Sequence, residues 1–216
     1  MKRSNKLMLK VCGMKDPENY LSLLKLAPDY IGLIFYAKSP RYVGNVAPKV
    51  LPVQKGIKRV GVFVNERTEI ILDQVHMYDL SVVQLHGNET PSQCKELRAA
   101  GCTVWKAIGI DESISWEALG SYLNAIDAFL FDTKSPQHGG TGRSFDWKTL
   151  TDYPYSTPYF LGGGLRPDNI MEAANIADSR LIGLDLNSGF ERSPGLKSIT
   201  LLKETFEQIR NEQVSS

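Results

Sequence analysis

No apolar run in the chain reaches membrane-spanning length, so the sequence offers no transmembrane helix. The opening residues, MKRSNKLMLKVCG, carry positive charge without a long apolar core and do not read as a secretory signal. Net charge is missing too: 25 Lys and Arg face 24 Asp and Glu. That balance gives no basis for a nucleic-acid or charged-membrane partner. Cysteine is scarce. Cys12, Cys94 and Cys102 are an odd set without a C-x-x-C pair. This argues against a disulfide frame or a zinc site and for a reducing, cytoplasmic setting. No cluster has metal-ligand spacing, and no G-x-S-x-G elbow occurs. The Gly162–Gly164 run lacks the Gly-Lys-Ser/Thr of a nucleotide-binding loop.

What is present is a repeat of strand and helix signals. Apolar strand candidates begin near Leu7, Tyr30, Lys58, Ser81, Thr103, Asp127, Pro158 and Leu181, spaced by roughly 22 to 31 residues. Helical segments are expected over Asp16–Ala27, Glu66–Met77, Pro91–Ala100, Pro167–Asn175 and Ser198–Arg210. The first has an Asp cap followed by proline. Eight such units predict a closed, single-domain (β/α)8 TIM barrel over residues 1–216, with its core at about 7–210 and frayed ends. An open doubly wound sheet would show G-x-G-x-x-G after its first strand, and here that turn is Cys12-Gly13-Met14.

Barrel chemistry sits at the carboxyl ends of the strands, so those ends are read for function. The seventh ends in LGGGLRPDN, where Gly162, Gly163 and Gly164 precede an expected helix start. The eighth ends in LNSGFERSPG, with Asn187, Ser188 and Gly189. Two adjacent turns rich in small residues favour a bound phosphate over ordinary tight turns. Cys12 ends the first strand and is equally readable as a base, a nucleophile or a core thiol. Cys94 and Cys102 read as structural. Lys10 lies two residues earlier and points the same way, either toward the thiol or toward Asp185. Asp132 ends the run AFLFDT and is either a buried, protonated acid or a loop cap. Gln84 and His86 share one side of the fourth strand, His86 as a base or a structural hydrogen-bonder. His76, on a helix, and His138 have no clear partner. Gly139, Gly140 and Gly142, in Ser135–Trp147, suit either a lid or a plain connection.

Eight motifs in register extend these signals: KVCGM, IFYAKSPRYV, VGVFVN, VQLHGNE, FDT, GGTGRSFDW, GGGLRPDNI and NSGFERSPGLK. Together they resemble the phosphoribosylanthranilate isomerase family of tryptophan biosynthesis, from about Leu7 to Lys197. Met14, Ala37 and Leu186 depart from the family's usual residues without touching a presumed reacting group. The resemblance implies an Amadori rearrangement of a phosphorylated small molecule, without cofactor or metal. It implies Cys12 as general base, Asp132 as general acid and Arg41 beside the anthranilate carboxylate, with Lys38 a solvated neighbour. A monomer or homodimer is expected. Indole-glycerol-phosphate synthase, a related barrel, would want catalytic lysine and glutamate at strand ends instead. A barrel that only binds its ligand would be expected to have lost Cys12 or Asp132, and both are present.

Overall fold

The computed structural model describes residues 6–133 and 145–215. Eight parallel strands run in chain order around a closed barrel: Met8–Cys12 (β1), Tyr30–Ile34 (β2), Lys58–Phe63 (β3), Val82–Leu85 (β4), Thr103–Ile110 (β5), Ala128–Thr133 (β6), Tyr159–Leu161 (β7) and Leu181–Leu186 (β8). Closure is made by β1 against β8, with Lys10 opposite Asp185. All eight expected strands form. They are apolar on both faces because one face meets the barrel interior and the other meets the outer layer.

Among the described residues, five α-helices occupy that outer layer: Pro17–Leu24 (α1), Thr68–Tyr78 (α2), Pro91–Ala99 (α3), Ile170–Ala174 (α4) and Ile199–Ser215 (α5). Asp16 caps α1 by accepting from the Asn19 amide at 2.8 Å, with Pro17 in the first turn as expected. Among the described residues, the other three crossovers carry 3₁₀ turns, at Pro48–Val50, Glu117–Tyr122 and Trp147–Asp152. Around the first of these, Pro48 and Pro52 break any longer helix. Three helix expectations need correction. The first helix, α1, ends at Leu24 and not at Ala27. The helix expected from Pro167 begins only at Ile170, because Asn169 folds back on the preceding loop and donates to the Gly164 carbonyl at 3.0 Å. The segment after Arg210 does not fray but continues α5 to Ser215. Residues 1–5 and the stretch holding His138, Gly139, Gly140 and Gly142 lie outside the described residues.

The barrel interior is plugged by Tyr30, Trp105 and Phe160, whose ring centroids lie 4.9, 5.6 and 4.3 Å apart. Cys12, Ile34 and Val62 pack together nearer the carboxyl ends of β1–β3. After β8 the chain forms a small hairpin, Glu191–Ser193 (β9) with Leu196–Lys197 (β10), before α5.

Candidate active site

A cavity of about 360 Å³ opens at the carboxyl ends of the strands. Cys12, Arg41, Gln84, His86, Asp132 and Asn187 all line it, although they come from five different strand ends.

Cys12 is buried at the end of β1. Burial pushes its thiol up, Asp185 adds to the rise, and the cations Lys10 and Lys197 pull against it. Lys10 has both partners the sequence allowed. Its Nζ donates to Asp185 Oδ1 at 2.8 Å, and its charge also reaches Cys12. Burial works to lower the Lys10 ammonium, but Asp185 and Cys12 together outweigh it and hold it above its ordinary range. Burial raises the Asp185 carboxyl against that pull.

Of the two readings of the run AFLFDT, the acid sealed in an apolar core does not hold for Asp132. Its side chain is 14 % exposed at the cavity wall. Oδ1 accepts from the Thr133 amide at 2.7 Å, and Oδ2 lies 3.4 Å from His86 Nε2. Gln84 Nε2 approaches His86 Nδ1 at 3.1 Å. If the amide nitrogen donates there, the ring proton sits on Nε2 and faces Asp132. The resulting line Gln84–His86–Asp132 is the third-party orientation that acid/base groups need. His76, in contrast, bonds the Leu72 carbonyl one helical turn back and lies outside this cluster.

Arg41 reaches the mouth because residues after β2 make an excursion and return. Val43 donates to the Ile34 carbonyl at 2.9 Å, and Tyr42 bridges beside Ile34. The guanidinium is 11 % exposed and grips Glu191, with Nη2 at 2.7 Å from Oε2. Lys38 is exposed and lies on the same cavity wall, not merely in solvent.

The glycine turns divide by role. Gly163 and Gly164 line the cavity. Gly163 has φ +72°, and a Cβ there would overlap the Thr133 amide and sit 2.6 Å from Asp132 Oδ1. Gly162 is buried, and its amide is committed to the Phe131 carbonyl at 2.7 Å, so it has no N–H to offer a ligand. Gly189 is also off the described lining. A Cβ there would strike the Leu165 carbonyl, so this glycine lets the loop after β8 approach the loop after β7. Asn187 and Ser188 remain on the wall. Lys197 Nζ donates to Asn187 Oδ1 at 2.7 Å, which leaves the Asn187 amide nitrogen as its donor toward a ligand.

Glu191 and Lys197 were not singled out from the sequence. Their only signal was the charged tail of NSGFERSPGLK, and nothing in spacing joins Glu191 to an arginine 150 residues earlier.

Fold and cavity define a (β/α)8 barrel whose titratable groups converge at the catalytic face of that architecture. A family model described as N-(5'phosphoribosyl)anthranilate (PRA) isomerase matches residues 9–208. The N-(5'-phosphoribosyl)anthranilate isomerase of Parabacteroides distasonis is 40% identical over 213 residues, covering 97% of this chain and 96% of its own. The crystal structure of the Thermotoga maritima phosphoribosyl anthranilate isomerase superposes with a TM-score of 0.83 at 33% identity, over 95% of this chain and 99% of that one. A phosphoribosyl anthranilate isomerase in complex with reduced 1-(o-carboxyphenylamino)-1-deoxyribulose 5-phosphate gives 0.80 at 30% identity, over 95% and 99%. This chain belongs to the N-(5'-phosphoribosyl)anthranilate isomerase family.

Proposed function

We propose that Cys12 and Asp132 are the base and acid with which this chain converts N-(5-phosphoribosyl)anthranilate to 1-(2-carboxyphenylamino)-1-deoxyribulose 5-phosphate, a step of tryptophan biosynthesis. The observation that carries the assignment is the meeting of a β1 thiol and a β6 carboxyl in one cavity of a chain of this family.

The chemistry is proton transfer throughout. Asp132 as the acid protonates the sugar ring oxygen, the C1–O bond breaks, and the nitrogen lone pair forms a C1=N Schiff base. Cys12 as thiolate takes the proton from C2. The C–H electrons form C1=C2 and the iminium electrons return to nitrogen, giving an enolamine. Loss of the enol proton and protonation at C1 complete the ketose. The imine is the electron sink, so these steps call on no cofactor. His86, backed by Gln84, orients Asp132. Backbone donors at Gly163 and Gly164, with Asn187 and Ser188, receive the phosphate. Arg41 receives the anthranilate carboxylate across the mouth.

We also read residues 1–216 as one barrel domain, acting in the cytoplasm as a monomer or homodimer. The paucity of cysteine supports that setting, and none of the described helices is long and apolar enough to cross a membrane.

The test is loss of substrate fluorescence on incubation with phosphoribosylanthranilate. Cys12→Ala and Asp132→Asn should each lower kcat by about 10²–10⁴ while remaining folded. Full turnover in either folded variant would remove that residue from the mechanism.

A further inference from the structure

Arg41 sits on a loop, where a long side chain ordinarily samples many rotamers. Here it is held by one edge. Its Nε lies 3.0 and 3.1 Å from the two Glu191 oxygens, and Nη2 lies 2.7 Å from Oε2. A guanidinium carries five N–H groups, so gripping the Nε–Nη2 edge leaves the Nη1–Nη2 edge. Among the described residues no carboxylate takes that second edge, and Arg41 lines the cavity.

Glu191 is itself fixed. It is 5 % exposed and accepts from Lys197 Nζ at 2.6 Å and from the Gly195 amide at 3.0 Å. Burial works to raise its carboxyl, but Arg41, Lys197 and the Gly195 amide outweigh that and hold it below its ordinary value. Lys197 is fully buried, and Asn19 bonds its backbone carbonyl and amide at 2.9 and 2.7 Å. The line Arg41–Glu191–Lys197–Asn187 therefore joins the two ends of the cavity. Two cations and one anion leave one positive charge, which matches one carboxylate. A buried ionic cluster is a weak source of stability, because apolar residues of similar volume often do as well.

We propose that Glu191, locked by Lys197, is a positioning residue that holds Arg41 by one edge and so presents the other edge to the aromatic carboxylate of the substrate. Glu191 thereby sets selectivity for a carboxylate-bearing aromatic amine. The inference rests on the reading of Arg41 as the carboxylate partner.

The experiment measures kcat and KM for the natural substrate and for the phosphoribosyl aniline that lacks the carboxylate. The proteins are the wild type, Arg41→Ala, Glu191→Gln and the double variant. Glu191→Gln should raise KM for the natural substrate about tenfold, with a far smaller change in kcat and in the aniline kinetics. In the Arg41→Ala background it should add nothing further. If Glu191→Gln fails to fold, Glu191→Asp, which keeps the charge and leaves Lys197 in place but shortens the reach to Arg41, is read the same way. Equal damage to both substrates would make Glu191 merely structural and overturn the proposal. So would an unchanged KM, and so would a lower KM, which would mark Glu191 as a competitor for Arg41. Selective loss in Arg41→Ala alone would overturn this inference and leave the carboxylate reading intact. Equal loss of both substrates in Arg41→Ala would overturn both.

Discussion

Cys12, the proposed base, sits in a place that favours keeping its proton. Burial and Asp185 raise the thiol, and Lys10 and Lys197 oppose them from the β1 and β10 sides. Removing Lys10 tilts that balance further upward, because the cation goes and Asp185 stays. Lys10→Met should therefore shift the pH profile of Cys12 alkylation by iodoacetamide to more alkaline values and lower kcat at neutral pH. Lys10→Met/Asp185→Asn, which leaves no uncompensated buried charge, should shift the profile the same way by less, because Lys10 acts on the thiol more strongly than Asp185, and serves if the single variant is unstable. An alkylation profile that stays put in a folded variant would show that Lys10 does not reach the thiol. Cys94 does not confuse the measurement, since burial raises its thiol to about 11 and it packs in the core.

Gly163 couples the end of β7 to the end of β6. Its left-handed backbone disfavours any side chain by about 1–2 kcal/mol, and a Cβ would press on both Thr133 and Asp132. Gly163→Ala should lower the melting temperature by several degrees and reduce kcat more than KM, because Asp132, the proposed acid, is displaced. An alanine variant with unchanged melting and kcat would separate this glycine from Asp132. At this scale the strands were legible, since segments buried on two faces leave uninterrupted apolar runs between polar strand ends. The site was legible as far as it lay on those ends, as with Cys12, Gln84, His86 and Asp132. Which of three consecutive glycines faces the cavity was not, because that depends on the pairing of Gly162 with Phe131 across β6 and β7. The polar setting of Asp132 was hidden for the same reason: its neighbours come from β4 and from its own loop, not from the run that precedes it. The early end of the α1 segment was also hidden, because Ala27 adopts φ +49° without a glycine to announce it.

Across the whole molecule, the amino ends of the strands carry polar clusters of their own, far from the chemistry. Asp178, before β8, accepts from Arg180 Nη2 at 2.7 Å and from the Tyr159 hydroxyl at 2.9 Å. Burial works to raise its carboxyl, but Arg180 and Tyr159 outweigh it and hold it below 3.8. A depressed carboxyl contributes stability that is complete above the unfolded value and lost as pH falls through the folded one. Asp178→Asn should thus be less stable than wild type at pH 7, and the gap should close as pH drops below about 3.8. Urea melts of both proteins over that range decide it, and a gap independent of pH would exclude the ion pair as its cause. Asp185 works in the opposite direction, which is why the difference between the two proteins is the quantity to follow. The seam between β1 and β8 has a consequence for how the molecule is made. Lys10 and Asp185 are 175 residues apart in the chain, and Asn19 and Lys197 are 178 apart. A polypeptide leaving the ribosome therefore exposes its thiol long before Asp185 and Lys197, which flank it in the barrel, have been synthesised. Until the last strand docks, the sheet keeps two raw edges, each a template for pairing with a neighbouring chain.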